Sequence, residues 1–238
     1  MSNAILSSLW GRAILIPEAN SMIRIITLDR EFGSGGADIA RLVAQRLGWK
    51  LWDQLLTVEI ARLLECDCGA VEKHEERKDP LYYRLLKGFL HGSNEGSVNL
   101  PQAKIADADC IRQVAEKVVR QAAESGECVI VGRGAAYYLG DRPDAFHVFI
   151  YAPRDEKIRR VQATGKSQRE AIALVDSVDR DRIAFVKQYF GIDWPDRTRY
   201  HLMINSTISE EAAAQTILDG VAMLGKQKTA VGASIPSN

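Results

Sequence analysis

Residues 30–40 read Arg-Glu-Phe-Gly-Ser-Gly-Gly-Ala-Asp-Ile-Ala, a stretch whose chemistry lies chiefly in its backbone. Gly33, Gly35 and Gly36 let main-chain N–H groups turn inward, and an amphipathic helical pattern starts directly behind them. Those N–H groups have no intrahelical partner and sit beside the positive end of the helix dipole, so the segment suits a phosphate. Gly33, Ser34, Gly35, Gly36 and Ala37 form the predicted cradle. The order of strand, glycine loop and helix is that of a P-loop, but the match to G-x-x-x-x-G-K-[ST] is partial. With Gly35 as the second glycine, Arg30 replaces the first, Gly36 the lysine and Ala37 the hydroxyl residue. A dinucleotide fingerprint fails on spacing, because Asp38 falls on its third glycine. The competing reading is a glycine turn that binds nothing.

If a phosphate binds here, other cations must replace the missing lysine. Arg30 stands at the mouth of the loop, where its fork can grip two phosphate oxygens. The alternative for Arg30 is a surface ion pair with Glu31 or Asp53. Arg133 lies between Gly132 and Gly134, just past the apolar run Cys128–Val131, where open α/β sheets bind their ligands. Small neighbours there would let a phosphate approach, although a structural arginine closing the strand end fits the same pattern. Arg159, Arg160 and Arg182 follow in a charged helical stretch. Asp179 lies three residues before Arg182 and shares its helix face, whereas Arg180 points elsewhere. An arginine delivered to a transferring phosphoryl group is worth ~10³–10⁵ in rate.

These residues need a scaffold, and the hydrophobic pattern supplies one by alternating strand and helix, as in a parallel sheet covered on both faces. The predicted strands are residues 24–29, 50–52, 128–131, 146–151 and 201–205. Predicted helices include one closed by Gly48, one N-capped by Asp53, and one with Val114, Ala115, Val118, Val119 and Ala122 on its buried side. A helical stretch from Asp155 to Phe190 and a last helix from Ser209 to about Leu224 complete the set. Residues 66–104 turn polar and irregular and read as an inserted lobe, with residues 155–198 as a lid region. Residues 1–22 read as a disordered extension and residues 226–238 as a disordered tail around a domain spanning 23–225.

The 238 residues balance 31 basic against 31 acidic side chains. That balance argues against a nucleic-acid or polyanion partner held by bulk charge. No apolar run approaches membrane-spanning length, and no secretory leader is discernible. Cys66, Cys68, Cys110 and Cys128 lack zinc-ligand spacing, so reduced thiols and a cytoplasmic location are expected. His147 and His201 fall in strand patterns, where packing is expected rather than catalysis. Trp49, Trp52 and Trp194 suit either core packing or stacking on a base.

Four segments together resemble the cytidylate kinase-like family: residues 30–36, 128–134, 179–194 and 200–207. The likeness extends from Ile23 to about Leu224. It implies a P-loop NTPase fold, with a five-stranded parallel sheet flanked by helices, an inserted acceptor lobe and an arginine-bearing lid. It also implies ATP as donor, Mg²⁺, and a nucleoside monophosphate acceptor, CMP or dCMP. Val131-Gly132-Arg133, followed by Gly134, resembles the Asp-Gly-Arg segment of orthodox cytidylate kinases, with Val131 in place of its aspartate and Arg133 in place of its substrate-clamping arginine. Related small-molecule kinases place a carboxylate where Asp53 stands, to hold Mg²⁺ or a substrate hydroxyl. Two other readings remain: a nucleotide-binding sensor without turnover, and a kinase for a different small acceptor.

Overall fold

A computed structural model describes residues 23–53, 55–56, 59–60, 63 and 108–232. The expected extension at 1–22, the inserted lobe at 66–104 and the last six residues, 233–238, lie outside the described residues. Five parallel strands form the sheet: β1 (Ile25–Arg30), β2 (Lys50–Trp52), β3 (Cys128–Val131), β4 (Ala145–Tyr151) and β5 (Leu202–Asn205), in the order β2-β3-β1-β4-β5. Helix α1 (Gly36–Leu47) follows β1, and α2 (Ala108–Glu124) precedes β3. The short α3 (Ala135–Tyr138) follows β3, and α4 (Arg154–Ala163) and α5 (Gln168–Phe190) lie between β4 and β5. Helix α6 (Glu210–Gly232) closes the chain.

Side-chain alternation along β1 divides the interior in two. Ile25 packs with Cys128, Ile130 and the α2 residues Val114, Ala115, Val118 and Val119. Ile26 and Leu28 pack on the opposite face with Val129, Val131 and residues of α1 and α6. A third, smaller core lies off the sheet. There Phe32 of the glycine loop is buried among Ile158, Val161, Ala171, Val175 and Val178 of α4 and α5.

Several elements depart from their expected bounds; β4 begins one residue earlier and β5 one residue later than expected. β1 begins and ends one residue later, because Ile25 pairs with Cys128 and Ala145 while Arg30 pairs with Ile150. Arg30 is therefore a strand residue held by the ladder, and the loop starts at Glu31. The helical stretch from Asp155 to Phe190 is two helices. Gly165 turns the chain at φ +92°, and Ser167 starts α5 with a reciprocal capping box to Glu170. Helix α6 continues past Leu224 to Gly232, into the expected tail, since residues 226–230 (Lys-Gln-Lys-Thr-Ala) contain no helix breaker.

Candidate anion cleft and glycine loop

Arg30 ends β1, and its path explains two of the glycines. A Cβ on Gly36 would lie 2.6 Å from Cβ of Arg30 and 2.9 Å from its Cγ, so the stem crosses Gly36. A Cβ on Gly132 would collide with Nη1 of Arg30, so the head lies over Gly132. Nη2 stands 3.8 Å from Oδ1 of Asp53, with the two side chains only 6% and 13% exposed. The surface pair weighed above is thus a largely buried one. Asp53 occupies a bend before the helical residues 55–56. Since Gly36 does not need a positive φ, Gly36→Ala tests the fit of Arg30 alone. We expect a loss of about 1–3 kcal/mol, measured by urea unfolding, as the Arg30 stem is displaced.

Arg133 follows β3 in a left-handed turn, at φ +59° between Gly132 at +67° and Gly134 at +72°. For a non-glycine residue this conformation costs ~1–2 kcal/mol, and here it accompanies a guanidinium that is 2% exposed. Burial, and then the neighbouring Arg30, pull the Arg133 guanidinium down to about 9. Arg182 on α5 donates from Nη1 to the Arg30 carbonyl at 3.1 Å and to Asp179 Oδ1 at 3.2 Å. Burial and Arg30 lower Arg182 as well, to about 10. Both remain cations near neutrality.

Arg30, Arg133 and Arg182 line one partly open cleft. Tyr137, Val186 and Trp194 form its apolar walls, and Asp29 also faces it. Burial raises the Asp29 carboxyl, opposed by a hydrogen bond from Tyr200 and by Arg30, Arg182 and Arg133. Sequence reasoning did not single out Asp29, Tyr137 or Tyr200. The available signal was a charged residue inside a strand otherwise patterned for complete burial.

Gly132 and Gly134 were expected to leave room for a phosphate. Instead the space above Gly132 holds the Arg30 head, and a Cβ on Gly134 would meet Cζ of Phe190 at 2.9 Å. These glycines admit protein groups and permit the left-handed turn. In the loop, a Cβ on Gly33 would meet the Lys157 carbonyl at 3.0 Å, and one on Gly35 would meet Nη1 of Arg160 at 3.1 Å. Helix α4 therefore packs closely against the outer side of the loop.

The remaining predicted residues separate by place. Arg160 donates to the Ser34 carbonyl at 2.6 Å, to Ser206 Oγ at 2.8 Å and to the Ser206 carbonyl at 3.0 Å, bracing the loop rather than entering the cleft. Arg159 is corrected: it is 72% exposed and paired with Glu156, away from the cleft. Asp179, expected with Arg182 as a substrate-binding residue, is absent from the cleft lining and ties elements together. It accepts from Phe32 N at 2.8 Å, Lys157 Nζ at 3.2 Å and Arg182. Lys157, unnoticed in the sequence, also pairs with Glu31 at 3.0 Å.

His147 is buried against Thr27 Oγ1 at 2.7 Å and stacked on His201, a packing role. Burial, and then His201, lower His147 to about 4. Cys128 is fully buried. Trp194 alone of the three candidate tryptophans lines the cleft, packing edge-on to Phe149.

For Mg²⁺ the donors are sparse. Ala37 has no hydroxyl, and the Ser34 hydroxyl is buried and donates to the Glu31 carbonyl at 2.8 Å. Among the described residues no group of three His, Cys, Asp or Glu is placed to hold a metal. A Mg²⁺ held mainly by phosphates and water, with one carboxylate, is compatible with this donor set. Among the same residues no helix is long and apolar enough to cross a membrane.

No curated protein matches the chain. Among solved structures, an uncharacterized protein from Eubacterium ventriosum is similar, with 25% identity over 84% of this chain and 98% of its own, at a TM-score of 0.56. A shikimate kinase from Acinetobacter baumannii shows 18% identity over 83% and 92% of the two chains, at 0.46. A dephospho-CoA kinase from Campylobacter jejuni shows 16% over 86% and 99%, at 0.37. The model of the cytidylate kinase-like family matches residues 25–208, which include the glycine loop, the left-handed turn at Arg133 and the cleft arginines. The chain belongs to the cytidylate kinase-like family.

Proposed function

We propose that the protein transfers a phosphoryl group from ATP to a nucleoside monophosphate, with CMP and dCMP as the first candidates. The observation that carries this reading is the meeting of three buried guanidiniums from β1, the β3 turn and α5 in one cleft beside the glycine loop. Phosphoryl transfer is mostly positioning and neutralisation of charge, and this arrangement supplies both. In this reading the loop N–H groups hold the donor phosphates, and Arg133 and Arg182 grip the acceptor phosphate. Arg30, with its stem across the loop and its head over Gly132, stands between the two and takes the place of the lysine. Arg160 holds the loop in shape from outside.

Mg²⁺ would neutralise donor charge when bound, with Asp53 as the carboxylate offered to it. Tyr137 and Trp194 provide aromatic walls for a base. Cytosine enters through the family description rather than through any contact. The same reading assigns the protein to the cytoplasm, acting on free nucleotides rather than nucleic acid or a membrane.

The test is ADP formation with MgATP against CMP, dCMP, UMP, AMP and GMP. Turnover confined to cytidine nucleotides supports the reading. ATP binding without turnover on any of them would replace it with the nucleotide-sensing alternative. One observation favours a second reading, a kinase for a small anionic alcohol. Asp29 is a carboxylate in the cleft, and transfer to a hydroxyl uses such a group, whereas transfer to a phosphate does not.

A further inference from the structure

Asp29 is out of character in an anion site. Its side chain lines the cleft with Arg30, Arg133 and Arg182 and is 6% exposed. Tyr200 donates to its Oδ2 at 2.8 Å and is the one hydrogen-bond donor to that carboxylate among the described residues. A carboxylate accepts at both oxygens and on about four lone pairs, so acceptor capacity remains towards the cleft. Arg182 is committed to the Arg30 carbonyl and Asp179, and Arg30 leans towards Asp53. The cleft thus holds three cations, each with protein partners, and one anionic acceptor.

A bare oxyanion entering this cleft would meet a like charge that it cannot satisfy. An oxyanion that also carries an O–H or N–H donor would satisfy the arginines and the carboxylate together. We propose that Asp29 sets the specificity of the cleft: it selects an anion bearing a nearby hydroxyl or amino donor and disfavours the plain oxyanion. Discrimination of this kind works by leaving the wrong ligand unpaired or repelled. The inference rests on the cleft being the acceptor site, and it names what that acceptor must carry beyond its phosphate.

Calorimetric binding to the full chain, without ATP, tests it. The probes are sulfate, which is dianionic and has no donor, and ribose 5-phosphate, CMP, dCMP and UMP. Wild type should bind the best sugar phosphate at least about tenfold tighter than sulfate. In Asp29→Asn, sulfate should bind about tenfold tighter than in wild type, and the sugar-phosphate advantage should shrink below about threefold. Comparing CMP with dCMP reports a sugar hydroxyl as the donor, and comparing CMP with UMP reports the amino group.

Unchanged ratios in Asp29→Asn overturn the proposal. So does weaker sulfate binding, since Asp29 would then be helping to hold the anion. Tyr200→Phe keeps the carboxylate and frees its second oxygen, so the preference must persist or grow there, and its loss also overturns the proposal. If the ratios shift as expected but no nucleotide supports ADP formation, the inference stands and the kinase reading falls. If CMP is turned over with unchanged ratios, the reverse holds. Failure of every oxyanion to bind overturns both.

Discussion

Arg133→Ala is expected to leave the melting temperature unchanged or raised while weakening anion binding in the cleft about a hundredfold. The two halves of this result have one cause. The guanidinium is buried, stands in a left-handed turn, and faces the like charges of Arg30 and Arg182. Its lowered affinity for a proton expresses that cost, with desolvation first and Arg30 second. Alanine keeps the strained backbone but removes the buried charge, which relieves its desolvation and its repulsion from Arg30 and Arg182. Loss of packing by the stem works against that gain, so the net change in stability is small.

An arriving anion reverses the balance, because repulsion among the three arginines becomes attraction to the ligand. Removing one partner of a buried, hydrogen-bonded charge pair costs about 2–5 kcal/mol, or roughly 30- to several-thousand-fold in affinity. Calorimetry with CMP or ribose 5-phosphate, beside a thermal melt, measures both halves. Binding that survives would make Arg133 a structural residue closing the strand end. A fall in stability matching the fall in binding would point the same way.

Much of this arrangement was legible before any coordinates, for identifiable reasons. The five strands and their parallel sense follow from apolar runs separated by helix-patterned segments, whereas their order in the sheet does not. The turn at Gly132-Arg133-Gly134 was visible because glycines flank a charge at the end of an apolar run. What the glycines admit was not visible. At 132 it is the Arg30 head and at 134 the Phe190 ring, contacts set by tertiary packing across 102 and 56 residues of sequence. Arg159 and Arg160 were indistinguishable in the sequence, whereas helix periodicity already separated Arg182 from Arg180. Their fates follow from which helix face meets the loop: Arg160 braces it, Arg182 enters the cleft and Arg159 faces water. Asp29 was missed because a charge inside a buried strand reads as an exception to the pattern, although such exceptions often mark a site.

Lys157→Met is expected to lower stability by about 3 kcal/mol and to loosen Arg182 with it. Lys157 Nζ lies 3.0 Å from Glu31 and 3.2 Å from Asp179, and its side chain is 11% exposed. Methionine fills the space of the stem but leaves two carboxylates facing each other beneath the loop. Asp179 also receives Phe32 N and Arg182, so its displacement disturbs both the loop and the cleft. Anion binding should therefore weaken in this variant even though Lys157 does not line the cleft.

The pH dependence separates an ion pair from simple packing. Burial pulls the Lys157 ammonium down, but Asp179 and Glu31 outweigh it and hold its proton more tightly than in the unfolded chain. A raised value in the folded state means that the stabilisation is fully present below the unfolded value, about 10.4 for lysine, and fades as pH rises through the folded one. Urea unfolding midpoints for wild type and Lys157→Met should thus differ most near neutrality and converge above about pH 10.5. A gap that stays constant across that range would show that the ammonium charge is not what holds α4 and α5 to the glycine loop.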